Sequence, residues 1–566
     1  MNLFGGSLTQ KDIYWKWRRS EYEKTDIDDG GSGDGGILHG RRMRKKAASV
    51  ERISGEERNH DADPAAQEPE SGTDAEEVPE SESDRQNETS GTILLEIPAE
   101  YDGEWEDGKS LISVKTSQVH LLDENHPELQ KSLDALNQKN LDAQKAFLEE
   151  NREDARMMYQ TNPEMMENNG WESELTVTAV RAAERVLCLM QTEYTWLGGA
   201  HPYTYITGIT YDTKTGEELS LEDIAADYDG IYDYVCTKLP EENDPDMFFE
   251  GYEDTVKAMF YGENADYSSI RWFLTDEGVT IWFNQYDIAP YAAGPVSVEI
   301  PFAEGLVKQQ YGTQKTSYVK ELPENGTADV DVDGDGKKES VSYTVDRDEY
   351  GNGGAITVTC GDTSYSTAFL MEQDYGASGG YSSEGCILHT EEGKTYLYLQ
   401  HQDDNDIRYL NLFDLSTGTP VYLTYCGRAW YDSPITDPEH FILWDWEDVL
   451  GTYSAYRIYH VGEDGVPASD GTLFRLGPVS RENPIVLVST RDLEVTVVEK
   501  NAEKPETIPS GSSFTITGTD GMSFVEAELD DGRTCRIPVR KGDGEWEWKI
   551  NGVSEYDCFE QIPYAG

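Results

Sequence analysis

The sequence predicts a multidomain chain: an α+β domain, then an all-β domain of antiparallel meanders, then a small β-barrel at the carboxy terminus. Three observations lead there. At 566 residues the chain is too long for one hydrophobic core, since single cores stop growing at about 250–300 residues. Aromatic residues make up 11%, mostly as 34 Tyr, and together with 52 Gly they favour strands and turns. Helical spacing of apolar residues occurs only before Phe302; beyond it, short strand-like runs alternate with Gly and Asp clusters.

The elements follow in order. Residues 1–90 predict a disordered, acidic amino-terminal segment, because Asp61 to Glu88 holds almost no large apolar residue to offset chain ordering. Within it, Met43 opens Met-Arg-Lys-Lys-Ala-Ala-Ser, which has the basic character of a signal-peptide start. Val50 onward is charged where an apolar stretch belongs. One expectation is therefore a start at Met43 with the apolar segment lost by frame error; the other is an intracellular protein with a basic arm. No run approaches the roughly 18 apolar residues of a membrane span.

The first domain is expected over residues 91–308. Ile93–Ile97 and Ser110–Val114 read as strands. Leu129, Leu133, Leu136, Ala143 and Phe147 then recur at helical steps, with Pro127 in the first turn. Strands return at Leu175–Val180, Val186–Tyr194 and Thr204–Tyr211, the last followed by a turn at Thr213–Gly216. Ser220 and Asp223 have the spacing of a capping box, Met247–Phe260 reads as a helix, and Arg271–Leu274 with Val279–Phe283 reads as a hairpin.

Two motifs in this domain carry a resemblance. One is Tyr194-Thr195-Trp196-Leu197-Gly198-Gly199-Ala200-His201-Pro202-Tyr203, followed by Tyr211 to Ile224. The other is Trp282-Phe283-Asn284-Gln285-Tyr286-Asp287-Ile288-Ala289-Pro290-Tyr291, running into Val298 to Phe302. Together they resemble the RsiV-type family of extracytoplasmic domains, found as the outer part of a lysozyme-sensing anti-sigma factor and beside the catalytic domain of a peptidoglycan deacetylase. The resemblance implies an α+β RsiV-like fold at the cell surface and a binding role without catalysis. Its partner would be a lysozyme-like cationic protein or a cell-wall glycan. The chain shows neither an anti-sigma segment nor the deacetylase's metal motif. Each motif residue also has a structural role: Gly198 and Gly199 free the backbone, and Pro202 stiffens the loop. As exposed aromatic anchors, Trp196, His201, Tyr203, Tyr286 and Tyr291 form the expected ligand surface.

Residues 318–480 are expected to form the all-β domain, as in a small propeller or a sandwich. It opens with Asp331, Asp333, Asp335 and Glu339, spaced with Gly334 and Gly336 as in a calcium loop. With the Lys337 backbone carbonyl they are the candidate ligands of a structural Ca²⁺, since crowded carboxylates repel unless a cation neutralises them. The segment resembles the calcium loops of integrin-type propellers; the alternative is an acidic turn without an ion. Gly376-Ala377-Ser378-Gly379-Gly380 matches a serine-hydrolase pattern but lacks the strand–turn–helix context that chemistry needs. Residues 484–566 read as a small barrel, similar to bacterial SH3-like β-barrels, with Trp546 and Trp548 pointing the same way along a strand.

Charge and cysteines bound the function. The net charge of -64, from 110 acidic against 46 basic residues, repels phosphate backbones and excludes nucleic-acid binding. It attracts cationic proteins and metal ions. The seven cysteines are scattered, so a zinc site is excluded and small buried hydrophobes are the preferred reading, with a Cys188–Cys236 pair left open. The expected function is a surface-displayed binding or sensor protein. The alternatives are an enzyme or accessory subunit of cell-wall metabolism, or a wall-attached scaffold.

Overall fold

The structure is a computed structural model describing residues 92–564 apart from 163–169, 200, 263–269, 313–314, 372–374, 403–406, 432–433, 470, 479, 481–483, 500–501, 543 and 545–546. The expected amino-terminal segment, with Met43, lies outside these residues. The fold is multidomain and mostly β.

The first domain is built on a five-stranded sheet in the order β2-β3-β5-β6-β7. A short β1 (Leu95–Glu96) precedes β2 (Ala99–Glu106) and β3 (Lys109–Ser117); β4 (His120–Leu121) pairs back onto β1. The helix α1 (Pro127–Thr161) then carries the chain across to β5 (Trp171–Ala182), which lies parallel to β3. A parallel pair requires such a crossover, because a tight turn can only reverse the chain. Strands β6 (Val186–Trp196) and β7 (Tyr203–Asp212) complete the sheet as antiparallel neighbours.

The amino-terminal part of α1 is fixed by its apolar stripe. Leu129, Leu133 and Leu136 are buried against Ile93, Val119, Val177, Leu187 and Leu189. Asn137 doubles as a strand partner, accepting from Val119 N (2.8 Å) and donating to Val119 O (3.0 Å). Farther along, the stripe runs through Gln144 and Leu148, not through Ala143 and Phe147 as expected. Ala143 is exposed and Phe147 half-buried. Four-residue steps from Asn140 keep residues on the sheet side, and Ala143 falls off that line.

The opposite face of the sheet is covered by a second layer. The short α2 (Leu221–Ile224) starts at the expected capping box, with the Ser220 and Asp223 side chains bonded to each other's backbone amides. It is followed by α3 (Tyr228–Glu242) and α4 (Tyr252–Tyr261). The expected Met247–Phe260 helix is interrupted: a 3-10 turn at Pro245–Met247 stops before Gly251, whose φ of 78° restarts the chain as α4. The expected hairpin forms as β8 (Arg271–Leu274) and β9 (Gly278–Phe283), joined by β10 (Val296–Pro301) in a three-stranded sheet. This layer buries Ile231, Val235, Phe273, Ile281, Trp282 and Val298 against Val186, Cys188 and Ile206 of the large sheet.

The remainder is antiparallel. Strands β11 (Tyr318–Pro323), β12 (Thr327–Val330), β13 (Glu339–Arg347), β14 (Gly353–Cys360) and β15 (Thr363–Ser366) are followed by β16 (Ser382–His389), β17 (Thr395–Gln402), β18 (Arg408–Asp414) and β19 (Val421–Gly427). They form a four-stranded sheet, β12-β13-β14-β15, and a five-stranded sheet, β11-β16-β17-β18-β19, which share a core around Tyr343, Val358, Leu397 and Phe413. The far side of the five-stranded sheet packs on β20 (Phe441–Asp448) through Phe441 and Leu443.

From β20 a larger sheet continues through β21 (Thr452–Val461), β22 (Pro467–Ala468) and β23 (Phe474–Arg475) into the carboxy-terminal strands. These are β24 (Val486–Val488), β25 (Leu493–Glu499), β26 (Ala502–Ile508), β27 (Ser513–Thr519), β28 (Phe524–Leu529) and β29 (Thr534–Pro538). The sheet order is β20-β21-β23-β27-β28-β29-β25-β26, so strands before residue 480 and strands after residue 484 share one sheet. Trp548 is buried in the last core and donates its indole N–H to Asp448 O (2.7 Å); Trp546 lies outside the described residues. Ser378 is fully buried after a 3-10 turn at Tyr375–Ala377, and among the described residues no strand leads into it. All seven cysteines are free, five of them buried. Among the described residues no helix is long and apolar enough to cross a membrane.

Two polar features join these layers. Buried Asp437 accepts from the Thr92 hydroxyl and pairs with Lys315 Nζ, tying β20's approach to both ends of the first domain. Beside it, buried Arg181 pairs with Asp276 (3.0 Å) and donates to Tyr311 O (2.7 Å). Asp437→Ala takes the acceptor from the buried Thr92 hydroxyl and one partner from Lys315, whose side chain is 43% exposed, and should cost roughly 2 kcal/mol in urea unfolding. Unchanged stability would mean that the joint is not held here.

Burial also sets a pH dependence. It pushes Glu321 up to about 7, Glu447 up to about 7 and Asp445 up to about 6, and pushes His401 down to about 3. The three raised carboxyls stabilise the fold fully below their unfolded values and lose that contribution as pH rises through 6–7. His401 acts oppositely, costing stability as pH falls below its unfolded value of about 6.5. Three against one, the carboxyls win between pH 5 and 7. The melting temperature should be roughly 5 °C higher at pH 5.5 than at pH 8. The double variant Glu321→Gln, Glu447→Gln should flatten that slope; an unchanged slope would assign it to general charge repulsion.

Candidate functional site

The site is built where the loop after β9 folds over the end of β7. Asn284, the first residue past β9, is buried. Its amide accepts from Ile206 N (2.8 Å) and donates to Ile206 O (3.0 Å), so one side chain replaces a neighbouring strand along β7. The Trp282 indole also donates to Asn284 Oδ1 (3.2 Å). Asp287 then closes the turn, accepting from Asn284 N (2.6 Å). In between, Tyr286 is held at a φ of 69°, a left-handed conformation costly for a side chain other than Gly. The turn lifts its ring out of the surface, leaving it 60% exposed.

A cation fixes the neighbouring strand to this turn. Arg271 of β8 pairs with Asp287 (3.0 Å), both side chains being 14% exposed, and its Nε donates to the Tyr205 hydroxyl (2.7 Å). The guanidinium carbon lies 4.6 Å from the centre of the Tyr205 ring. Burial raises the Asp287 pKa, and Arg271 and the Asn284 amide pull it back. Tyr203, two residues earlier on the same face, stacks on Tyr205 at 6.2 Å and is 57% exposed. Burial raises its hydroxyl pKa, with Tyr205, Glu193 and Asp287 adding to the effect.

Four of the five expected ligand residues belong to this surface. The rings of His201 and Tyr291 lie 4.6 Å apart, and Tyr291 and Tyr286 lie 5.9 Å apart, giving a continuous row of three. Tyr203 continues the exposed aromatic surface along β7. Trp196 is different. Thr195 is the partner of Tyr203, so strand alternation turns Trp196 to the opposite face of the sheet. There it is half-buried, and its indole N–H donates to Gly199 O (3.0 Å), closing the Gly198–Gly199 turn in which Gly198 has a φ of 76°. Its placement is that of a loop staple. Tyr205, Arg271, Asn284 and Asp287 are the members that sequence reasoning missed. Asn284 and Asp287 stand inside the quoted motif, and Tyr205 follows Tyr203 at the two-residue strand period.

At the acidic loop, carboxylate oxygens of Asp331, Asp333 and Asp335 lie within 4.8 Å of one another. Gly334 and Gly336, at φ 74° and 85°, turn the loop so that both amides donate to Asp331 (2.9 Å each). Three converging hard oxygens in an open loop suit a Ca²⁺-sized cation. Glu339 accepts from Val332 N (3.1 Å) at the root of the loop. Lys337 places its ammonium 2.7 Å from Asp335, and its hydrogen bonds hold that carboxyl below the usual range.

A further carboxyl pair was not singled out from the sequence. Asp445 and Glu447 share one face of β20, with Arg457 of β21 on the same face. Burial dominates their raised pKa values, each close to neutrality, and their mutual repulsion lifts Glu447 further.

Comparison with known proteins finds a family match within this part of the chain. Residues 225–303 match the sequence profile of a family described as "Protein of unknown function (DUF3298)". A solved structure of a DUF3298 family member from Bacteroides fragilis is 18% identical, covering 39% of this chain and 95% of its own, with a TM-score of 0.30. A DUF3298 family protein from Pseudomonas aeruginosa is 19% identical, covering 39% and 98%, with a TM-score of 0.26. No curated protein matches the chain. Residues 225–303, which supply Arg271, Asn284, Tyr286, Asp287 and Tyr291, thus form a DUF3298 domain.

Proposed function

We propose that this chain is an extracytoplasmic, cell-surface binding or sensor protein of the RsiV type, non-catalytic, that recognises lysozyme or a cell-wall glycan. The observation that carries the reading is the row of rings in which half-buried Tyr291 stands between exposed His201 and exposed Tyr286, continued by Tyr203 and set on a rigid polar frame. Rigid aromatic anchors give much contact area at low entropic cost and dominate interface energetics. A cationic protein is favoured among the partners, because the chain carries a charge of -64, which speeds encounter with a basic surface. In this reading the Asp331 loop holds a structural Ca²⁺, the middle unit is a sandwich-like or propeller-like module, and the last strands form an SH3-like barrel that helps retain the protein at the wall.

A second reading, an enzyme of peptidoglycan metabolism, is favoured by one observation: Asp445 and Glu447, two carboxyls on one strand face with pKa values near neutrality. General acid–base chemistry uses such groups. Loss of muropeptide turnover in Asp445→Asn with lysozyme binding intact would select it.

Calorimetric titration of the full chain with lysozyme should give saturable binding, weakened about tenfold or more by His201→Ala or Tyr291→Ala and little changed by Trp196→Phe. Silence with lysozyme and with soluble peptidoglycan fragments alike would sink the proposal. Separately, chelation of Ca²⁺ should lower the melting temperature by several degrees, as expected when a bound ion stabilises only the folded state. Asp333→Asn should abolish that difference. If chelation leaves the transition where it was, the loop is an acidic turn.

A further inference from the structure

The sheet that carries Tyr203 on β7 ends, at its other edge, on β2, which pairs with β3 along one side and with no described strand along the other. Gly103 N donates to the carboxylate of Asp102 (2.7 Å), so the amide of Gly103 points to the outer edge. Antiparallel alternation turns the backbone of Tyr101 the same way. The side chains divide between two faces. Tyr101, Gly103 and Trp105 share one; Trp105 follows a bulge and folds back over Gly103, where a Cβ would meet its ring at 3.1 Å. Tyr101 and Trp105 are 69% and 60% exposed. On the other face Glu104 is held by Arg152 (2.6 Å) and Arg156 (2.9 Å) of α1, whereas Asp102, Glu106 and the following Asp107 are exposed.

Open strand edges are usually covered or guarded by charge, because they template pairing with other chains. The charged residues of β2 itself are all acidic, with Lys115 of β3 lying 5.9 Å from the centre of the Tyr101 ring. Acidic side chains repel a second copy of a chain with net charge -64, and they leave a basic strand as the complementary occupant. We propose that the β2 edge docks an extended, cationic polypeptide segment, which adds as a further strand beside β2. Its backbone pairs with Tyr101 and with Gly103, whose amide exchanges the Asp102 carboxylate for a carbonyl of the incoming strand. Its Lys or Arg side chains meet Asp102, Glu106 and Asp107, and its alternate residues lie over Tyr101 and Trp105. The site is separate from the ring row at His201 and stands or falls independently of the function proposed above.

The test is calorimetric titration of the full chain with an alternating Lys–Val octapeptide. The same peptide N-methylated on alternate backbone nitrogens is the control, since it keeps the charge and loses the strand edge. Saturable binding is expected, weakened about tenfold or more by Trp105→Ala, by Asp102→Lys and by N-methylation. Trp105 is exposed, so its variant keeps the fold, and an unchanged melting temperature checks this for both. Equal binding of the N-methylated peptide would reduce the effect to charge alone and overturn strand addition. Absence of binding, or binding indifferent to Trp105→Ala, would overturn the site.

Discussion

The surface of the first domain depends on one side chain, Asn284. Its amide bonds both ways to the backbone of Ile206, which does for the loop what a further strand would do for a sheet. Two such bonds in a buried setting contribute on the order of 1 kcal/mol each, enough to hold Tyr286 in a left-handed conformation that costs about as much. Without this anchor, neither the Asp287 carboxylate nor the Tyr291 ring has a fixed position relative to β7. The order of dependence is therefore clear. Buried amide pairing sets the turn, the turn places Asp287, Asp287 and Tyr205 position Arg271, and the exposed rings rest on that frame.

Charge imposes a second constraint, on the rest of the chain. An excess of acid this large makes full ionisation of every buried carboxyl expensive, and the structure deals with it in two ways. Some carboxylates take cations or amides as partners: Asp437 with Lys315, Asp287 with Arg271, Glu324 with Arg347. Others, such as Glu321 and Glu447, lie in surroundings that favour the protonated form. The first group fixes joints and loops; the second ties stability to pH. The same excess sets acidic side chains along the open edge of β2, where they repel a second copy of the chain.

Much of the first domain was legible because its determinants are local. The capping box at Ser220, the hairpin at Arg271–Phe283 and the start of α1 at Pro127 each rest on residues a few positions apart. Elements that depend on tertiary context were harder. In α3, Ile231, Val235 and Leu239 keep helical spacing, but Pro240 obscures the pattern; it is accommodated within the last turn of the helix. Strand β2 buries almost nothing, and β26 carries Pro505 on an outer edge, so neither shows the alternation that marks a half-buried strand. For the candidate site, residue types in the two motifs pointed to the loop where the rings of His201, Tyr286 and Tyr291 gather. The face of each ring did not follow from them: whether Trp196 joins Tyr203 depends on one step of strand register.

The bonding within the frame bears on what kind of site this is. A reactive centre needs a polar group directed at the space a substrate would occupy. In the frame, Arg271 is taken up by Asp287 and Tyr205, Asn284 by Ile206, and Asp287 by Arg271 and a backbone amide. What projects outward is Tyr286, Tyr203 and His201, with Tyr291 half-buried between His201 and Tyr286. Such a surface can gain energy by excluding water from a complementary shape, and its polar frame contributes rigidity. That division, with the frame's polar groups spent on positioning and rings left for contact, is what the proposed binding role requires of an interface anchor.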